Sequence, residues 1–138
     1  MSVKSIAHVN IQVPMSEWEA CRQFYCDVLG LKVGPRPAFT STGLWLYAGE
    51  SPIVHLVVRE PAERRLQRGH GALDHVSFHC TELAETLARL RSRGIEYGIS
   101  TVPGLDILQV LCVDPVGVGV ELSFEASDTG AVRRSPRG

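Results

Sequence analysis

The stretch "IAHVNIQV", Ile6–Val13, alternates strictly between apolar and polar residues. Ala7, Val9, Ile11 and Val13 fall on one face of a strand, and His8, Asn10 and Gln12 on the other. "SEWE" follows, with Ser16 placed as a helix N-cap and Glu19 three residues later, the spacing of a capping box. Cys21, Phe24, Tyr25 and Val28 then recur at helical spacing, and Gly30 stands where the helix to about Leu29 stops. Strands are predicted at Leu31–Val33, Leu44–Ala48 and Ile53–Arg59, between turns that contain Pro and Gly. Glu60–Gly71, "EPAERRLQRGHG", is polar and ends in glycines, as a solvated linker would.

The order then restarts. "LDHVSFHC", Leu73–Cys80, is a strand with His75, Ser77 and His79 on one face. Thr81 is the expected N-cap, Leu83, Leu87 and Leu90 form the helical stripe, and Gly94 ends it. Further strands are predicted at Ile95–Val102, Leu108–Val113 and Val118–Phe124, the last two joined by a tight turn at "DPVG", 114–117. Both halves read βαβββ. His8 and His75 lie 67 positions apart, Gly30 and Gly94 64, and His55 and Glu121 66, a register that points to an internal duplication. The predicted organisation is therefore α+β: a first module over residues 1–60, a linker at 61–71, a second module over 72–126, and a disordered tail at 127–138.

Composition changes this picture little. Of 138 residues, 44 % are hydrophobic and 21 % charged, as in an ordinary globular domain. A net charge of −1 advertises neither nucleic acid nor an anionic membrane as partner. No apolar run reaches the ~20 residues of a membrane span. "MSVKSIAHVN" carries no signal-peptide block, so reduced cysteines in a cytoplasm are the expectation for Cys21, Cys26, Cys80 and Cys112.

The duplication sharpens the chemistry. His8 and His75 occupy the first strands of the two modules, and His55 and Glu121 the last strands. Each sits opposite an apolar row. If helices cover one face of each sheet, the opposite faces can meet around a cavity and deliver four ligand-type side chains. Three imidazoles and a carboxylate suit zinc, nickel, cobalt, ferrous iron or manganese better than calcium or magnesium. Three or four protein ligands leave a position for water or substrate.

These stretches, with "FYCDVLG" (Phe24, Tyr25, Asp27, Leu29, Gly30), "DH" (Asp74, His75) and "DPVGVGVEL" (Asp114, Pro115, Gly117, Glu121, Leu122), resemble the vicinal oxygen chelate superfamily over about residues 4–126. That superfamily includes glyoxalase I, extradiol dioxygenases and bleomycin-resistance proteins. The resemblance implies paired βαβββ modules in a U-shaped mixed sheet around a metal, with helices outside. It implies His8, His55, His75 and Glu121 as ligands, a small-molecule substrate and a homodimer. The expected activity is glyoxalase I-like lyase or isomerase chemistry, on a substrate that chelates a divalent metal through neighbouring oxygens, with Glu121 or His55 moving the proton. Glyoxalase I usually has Glu or Gln where His55 stands. The subset His8, His75 and Glu121 matches instead the ligands of an iron-dependent ring-cleaving dioxygenase. A metal-free ligand-sequestering protein is the reading from another class.

Further residues carry less. Trp45 and Tyr47 share a strand face, where they either fill core or stack a substrate. Gln109 lies among Leu108, Val110 and Leu111, where a buried amide wants a partner, substrate included. His79 either lines the cavity or stands at its rim, with Ser77 as wall. Arg36 and Arg59 are the basic candidates for an anionic substrate group.

Overall fold

The computed structural model describes residues 5–60, 75–101, 105–125 and 127. The chain divides into two compact units, Met1–Gly69 and His70–Gly138. The linker read at 61–71 and almost all of the tail lie outside the described residues.

In the first unit β1 (Val9–Val13) leads through a 3₁₀ turn (Met15–Glu17) into helix α1 (Trp18–Gln23), which continues as a π-helical turn over Phe24–Val28. Strands β2 (Lys32–Gly34), β3 (Gly43–Ala48) and β4 (Ser51–Val58) follow. The sheet order is β1-β4-β3-β2, with β1 parallel to β4 and the remaining pairs antiparallel. β1 starts at Val9, not at Ile6. Continuing the register Val9↔Val54 would set Ala7 against Pro52, which has no N–H to give the ladder. His8 therefore stands just ahead of the strand.

The predicted capping box does not form. No side chain caps the 3₁₀ turn or α1, and the Met15 N–H donates to Glu60 Oε1 at 3.2 Å. Glu19 turns along the helix to Arg22 and Gln23, whose hydrogen bonds hold its carboxyl down at about 2. The stripe itself is as expected: Cys21, Phe24, Tyr25 and Val28 are all buried. They share the unit's core with Ile11, Val13, Leu46, Val54 and Leu56 of the sheet's apolar face. Leu29 N–H reaches back to Phe24 O, and Gly30, at φ +79°, turns the chain out of the helix.

The second unit repeats the plan. β5 (His75–Cys80), helix α2 (Leu83–Ser92), β6 (Gly98–Thr101), β7 (Ile107–Val113) and β8 (Gly119–Glu125) form a sheet ordered β5-β8-β7-β6. β5 again runs parallel to the last strand. The registers coincide: Val9↔Val54 in one unit answers to Val76↔Val120 in the other, at offsets of 67 and 66. The duplication read from spacing is thus also a duplication of pairing. Leu83, Leu87 and Leu90 of α2 are buried, as are Val110, Cys112, Val120, Leu122 and Phe124 of the sheet.

β7 starts one residue earlier than expected and β8 lies one residue later, and two further boundaries differ for local reasons. The cap of α2 is Glu82 in the left-handed region at φ +61°, not Thr81, and its carbonyl takes the Thr86 hydroxyl at 3.1 Å. β6 begins at Gly98 because the Ile95 N–H is spent on Leu90 O, closing the helix end beside Gly94 at φ +65°. Val102 lies outside the described residues. The "DPVG" turn is built around buried Asp114, whose Oδ1 accepts from the N–H groups of Val116 and Val118 at 2.9 and 2.8 Å. Among the described residues no helix is long and apolar enough to cross a membrane.

Candidate functional site

Alternation along the strands puts the polar residues of each unit on the face opposite its core. In the first unit Trp45 of β3 is the register partner of His55 of β4. Their rings stack at 4.2 Å between centroids, 7° from parallel. His8 stacks on His55 at 3.9 Å and 15°. Three rings thus stand as a column across β3, β4 and the segment just ahead of β1. The middle ring, His55, is 7 % exposed, and its Nε2–H donates to Pro52 O at 3.0 Å. Burial lowers its pKa first, the neighbouring His8 and Arg36 lower it further, and the bond to Pro52 opposes them. His55 is thereby held neutral with Nδ1 as its lone-pair nitrogen. The column lines a cleft of about 670 Å³ together with Asn10, Arg36, Phe39 and Arg59.

In the second unit the polar face is a hydrogen-bond network centred on Glu121, 9 % exposed. Its Oε1 accepts from Ser77 Oγ at 2.8 Å, Gln109 Nε2 at 2.9 Å and Ser123 Oγ at 3.2 Å. Ser100 Oγ donates in turn to Gln109 Oε1 at 3.3 Å. Four strands therefore fix one carboxylate oxygen. Oε2 faces His75 Nε2 at 3.4 Å. A smaller cleft of about 350 Å³ opens beside His75, Leu111, Val113 and Gly119.

The four ligand candidates thus appear as two pairs, His8 with His55 and His75 with Glu121. The pairs differ in their fitness for a metal. Adjacent ligand atoms bonded to one ion at about 2.0–2.2 Å stand roughly 2.8–3.6 Å apart, and the 3.4 Å between His75 and Glu121 falls in that range. Stacked imidazoles are different. Their lone pairs lie in nearly parallel planes 3.9 Å apart, so one ion cannot lie in both, and Nε2 of His55 is committed to Pro52. His8 and His55 as placed do not form a chelating pair. Among the described residues no three His, Cys, Asp or Glu side chains within one unit gather around a point that would hold an ion.

The other candidates sort as follows. Trp45 belongs to the ring column, and Gln109 finds its partner in Glu121. His79 is exposed, in register with Ser123, and no hydrogen bond reaches its ring among the described residues. Burial raises the thiols of Cys80 and Cys112 to about 11 and pushes Cys26 up as well, so these cysteines are poor nucleophiles at neutral pH. Ser77 is more than wall, and Ser123 and Ser100 were not anticipated. Ser123 follows Glu121 by two residues and so must share its face, which is the signal that would have found it.

The sequence model of the Glyoxalase/Bleomycin resistance protein/Dioxygenase superfamily matches residues 5–122, and the chain belongs to that superfamily. Solved structures share the fold. A protein assigned to the glyoxalase family from Bacillus anthracis aligns with TM-score 0.70 at 23 % identity, covering 91 % of this chain and 98 % of that one. The trypanothione-dependent glyoxalase I of Leishmania major gives 0.64 at 20 %, over 95 % and 94 %. An antibiotic-binding protein from Streptomyces gives 0.60 at 21 %, over 91 % and 98 %. The curated proteins contain no match to the sequence.

Proposed function

We propose that the chain is a divalent-metal-dependent enzyme that moves a proton on a small substrate bearing neighbouring oxygens, in the manner of a glyoxalase I. The observation that carries this reading is the preparation of Glu121. Three donors pin Oε1, and Oε2 is left facing His75 at a separation suited to a shared ion. His75 and Glu121 would hold the metal, which would supply Lewis acidity to the substrate oxygens. Ser77, Gln109 and Ser123 keep the carboxylate from rotating, so Oε2 is the oxygen that would hold the metal and, on loosening from it, take and return the proton. His55, neutral and fixed through Nε2, is a second base whose acceptor is Nδ1. A homodimer and a cytoplasmic setting belong to the same reading.

One observation favours the alternative of a ligand-sequestering protein. His8 and His55 stack beside Trp45 in an open cleft and do not converge on an ion.

Metal-free protein reloaded with nickel, cobalt, zinc, manganese or ferrous iron, one at a time, tests the proposal. Stoichiometric uptake by wild type, lost in His75→Ala and Glu121→Gln, with hemithioacetal isomerisation by the loaded protein, is the expected result. Iron with oxygen uptake on catechols would replace it with a ring-cleaving dioxygenase. Uptake unchanged in both variants, or none in wild type, would leave the sequestering protein.

A further inference from the structure

The first unit's cleft has features that a proton-transfer site does not need. Trp45 is fixed in plane by the imidazoles stacked behind it. Its neighbour Phe39 does not stack. The two centroids are 6.4 Å apart and the rings are tilted by 47°. At that distance and tilt the two rings make an ordinary aromatic contact, and Phe39 must turn aside for a flat ring to lie on the face of Trp45 turned away from His55. Phe39 is 55 % exposed and lies between β2 and β3.

The ring pair has a cation at its side. The Arg36 guanidinium lies 4.9 Å from the centre of the Phe39 ring. Its seat is built: a Cβ on Gly43 would stand 2.8 Å from Arg36 Nη2, so the missing side chain makes the room. Nη2 donates to Ser41 Oγ at 3.0 Å, whereas Nε is buried with no hydrogen-bond partner among the described residues. No carboxylate pairs with Arg36 among the described residues. Among the described residues no Asp or Glu lines the cleft, and Arg59 adds a second positive charge.

From the Phe39–Trp45 ring pair and the Arg36 guanidinium that lines the same cleft, we infer that this cleft binds a flat aromatic acid, with its ring on the open face of Trp45 beside Phe39 and its carboxylate or phenolate on Arg36. Ring stacking selects planarity and the guanidinium selects the anion. The inference concerns the first unit alone and holds whether or not the chain transforms its ligand or binds metal.

Calorimetric titration of the wild-type chain in the presence of a chelator separates the two questions. The probes are 2-naphthoate, its neutral amide, and cyclohexanecarboxylate. Naphthoate binding at least about tenfold tighter than either of the others is the expected result, as one charge-assisted contact and one aromatic contact each contribute about that factor. Arg36→Met should erase the advantage of the acid over the amide and leave the amide's own affinity unchanged. Equal affinities for the three probes, no naphthoate binding at millimolar concentration, or an advantage that survives Arg36→Met would overturn the inference. If Arg36→Met fails to fold, the wild-type comparison alone decides. Metal uptake plays no part in this readout, so its failure and that of the proposed enzyme are distinguishable.

Discussion

At the scale of single residues, His55 shows how position changes the meaning of a side chain. On a strand of ordinary sequence it is a candidate ligand. Between two rings, with Nε2 on a carbonyl, it is a buried neutral imidazole whose pKa lies below the ordinary 6.5. The sign of the consequence is fixed by linkage. Below about pH 6.5 the unfolded chain binds a proton at this residue that the folded chain does not, so stability rises with pH across that window. The contribution is complete above 6.5 and is lost as the pH falls towards the depressed folded value. Thermal unfolding between pH 5 and 8 should show the wild type losing stability on acidification faster than His55→Asn, the two curves converging at low pH. Parallel curves would mean that His55 is solvated and free to protonate in the folded chain. Glu121 makes the complementary point. It too is buried on a strand, but its partners are hydroxyls and an amide, which hold one oxygen and leave the other to His75.

At the scale of elements, a single rule accounts for most of what the sequence made legible. The period of two assigns each strand residue to the core face or the site face, and both sheets obey it. Leu122 and Leu111 test it with one residue type. Leu122 on β8 has no exposure and belongs to the core, whereas Leu111 on β7 is 40 % exposed and shares the face of Glu121. Leu122→Ala should cost about 2–5 kcal/mol in denaturant unfolding, and Leu111→Ala under about 1 kcal/mol. Comparable costs would show the polar face to be covered. What the sequence hid was local. Ser16 and Thr81 are good caps by type, but the chain enters α1 through a 3₁₀ turn after Pro14 and enters α2 through a left-handed Glu82, so neither hydroxyl caps its helix. The stack of His8 on His55 was equally out of reach, because spacing places side chains on a face and leaves their rotation undecided. Ser77 was seen on the right face. Its role was not, because a hydrogen bond depends on which residue of the neighbouring strand stands opposite, and only the register Ser77↔Glu121 supplies that.

At the scale of the whole molecule, the duplication explains why the polar residues come in pairs. Each module places a residue at the start of its first strand, or just ahead of it, beside a last-strand residue, through the same parallel pairing, and each has its own helix-backed core. One scaffold has thus been given two chemistries, an aromatic column in one copy and a carboxylate network in the other. A metal that binds only the folded chain must raise the stability of the fold that assembles its ligands, by about 2.7 kcal/mol when the free ion is at 100 times its dissociation constant. For a chain of this size that corresponds to a rise of several degrees in melting temperature. The rise should disappear in His75→Ala and Glu121→Gln. It should persist in Trp45→Leu, which disturbs only the ring column. A shift lost with Trp45 and kept without His75 would move the metal from the carboxylate network to the imidazoles of the first module. The stack of His8 on His55 would then be one state of a pair that opens when an ion arrives.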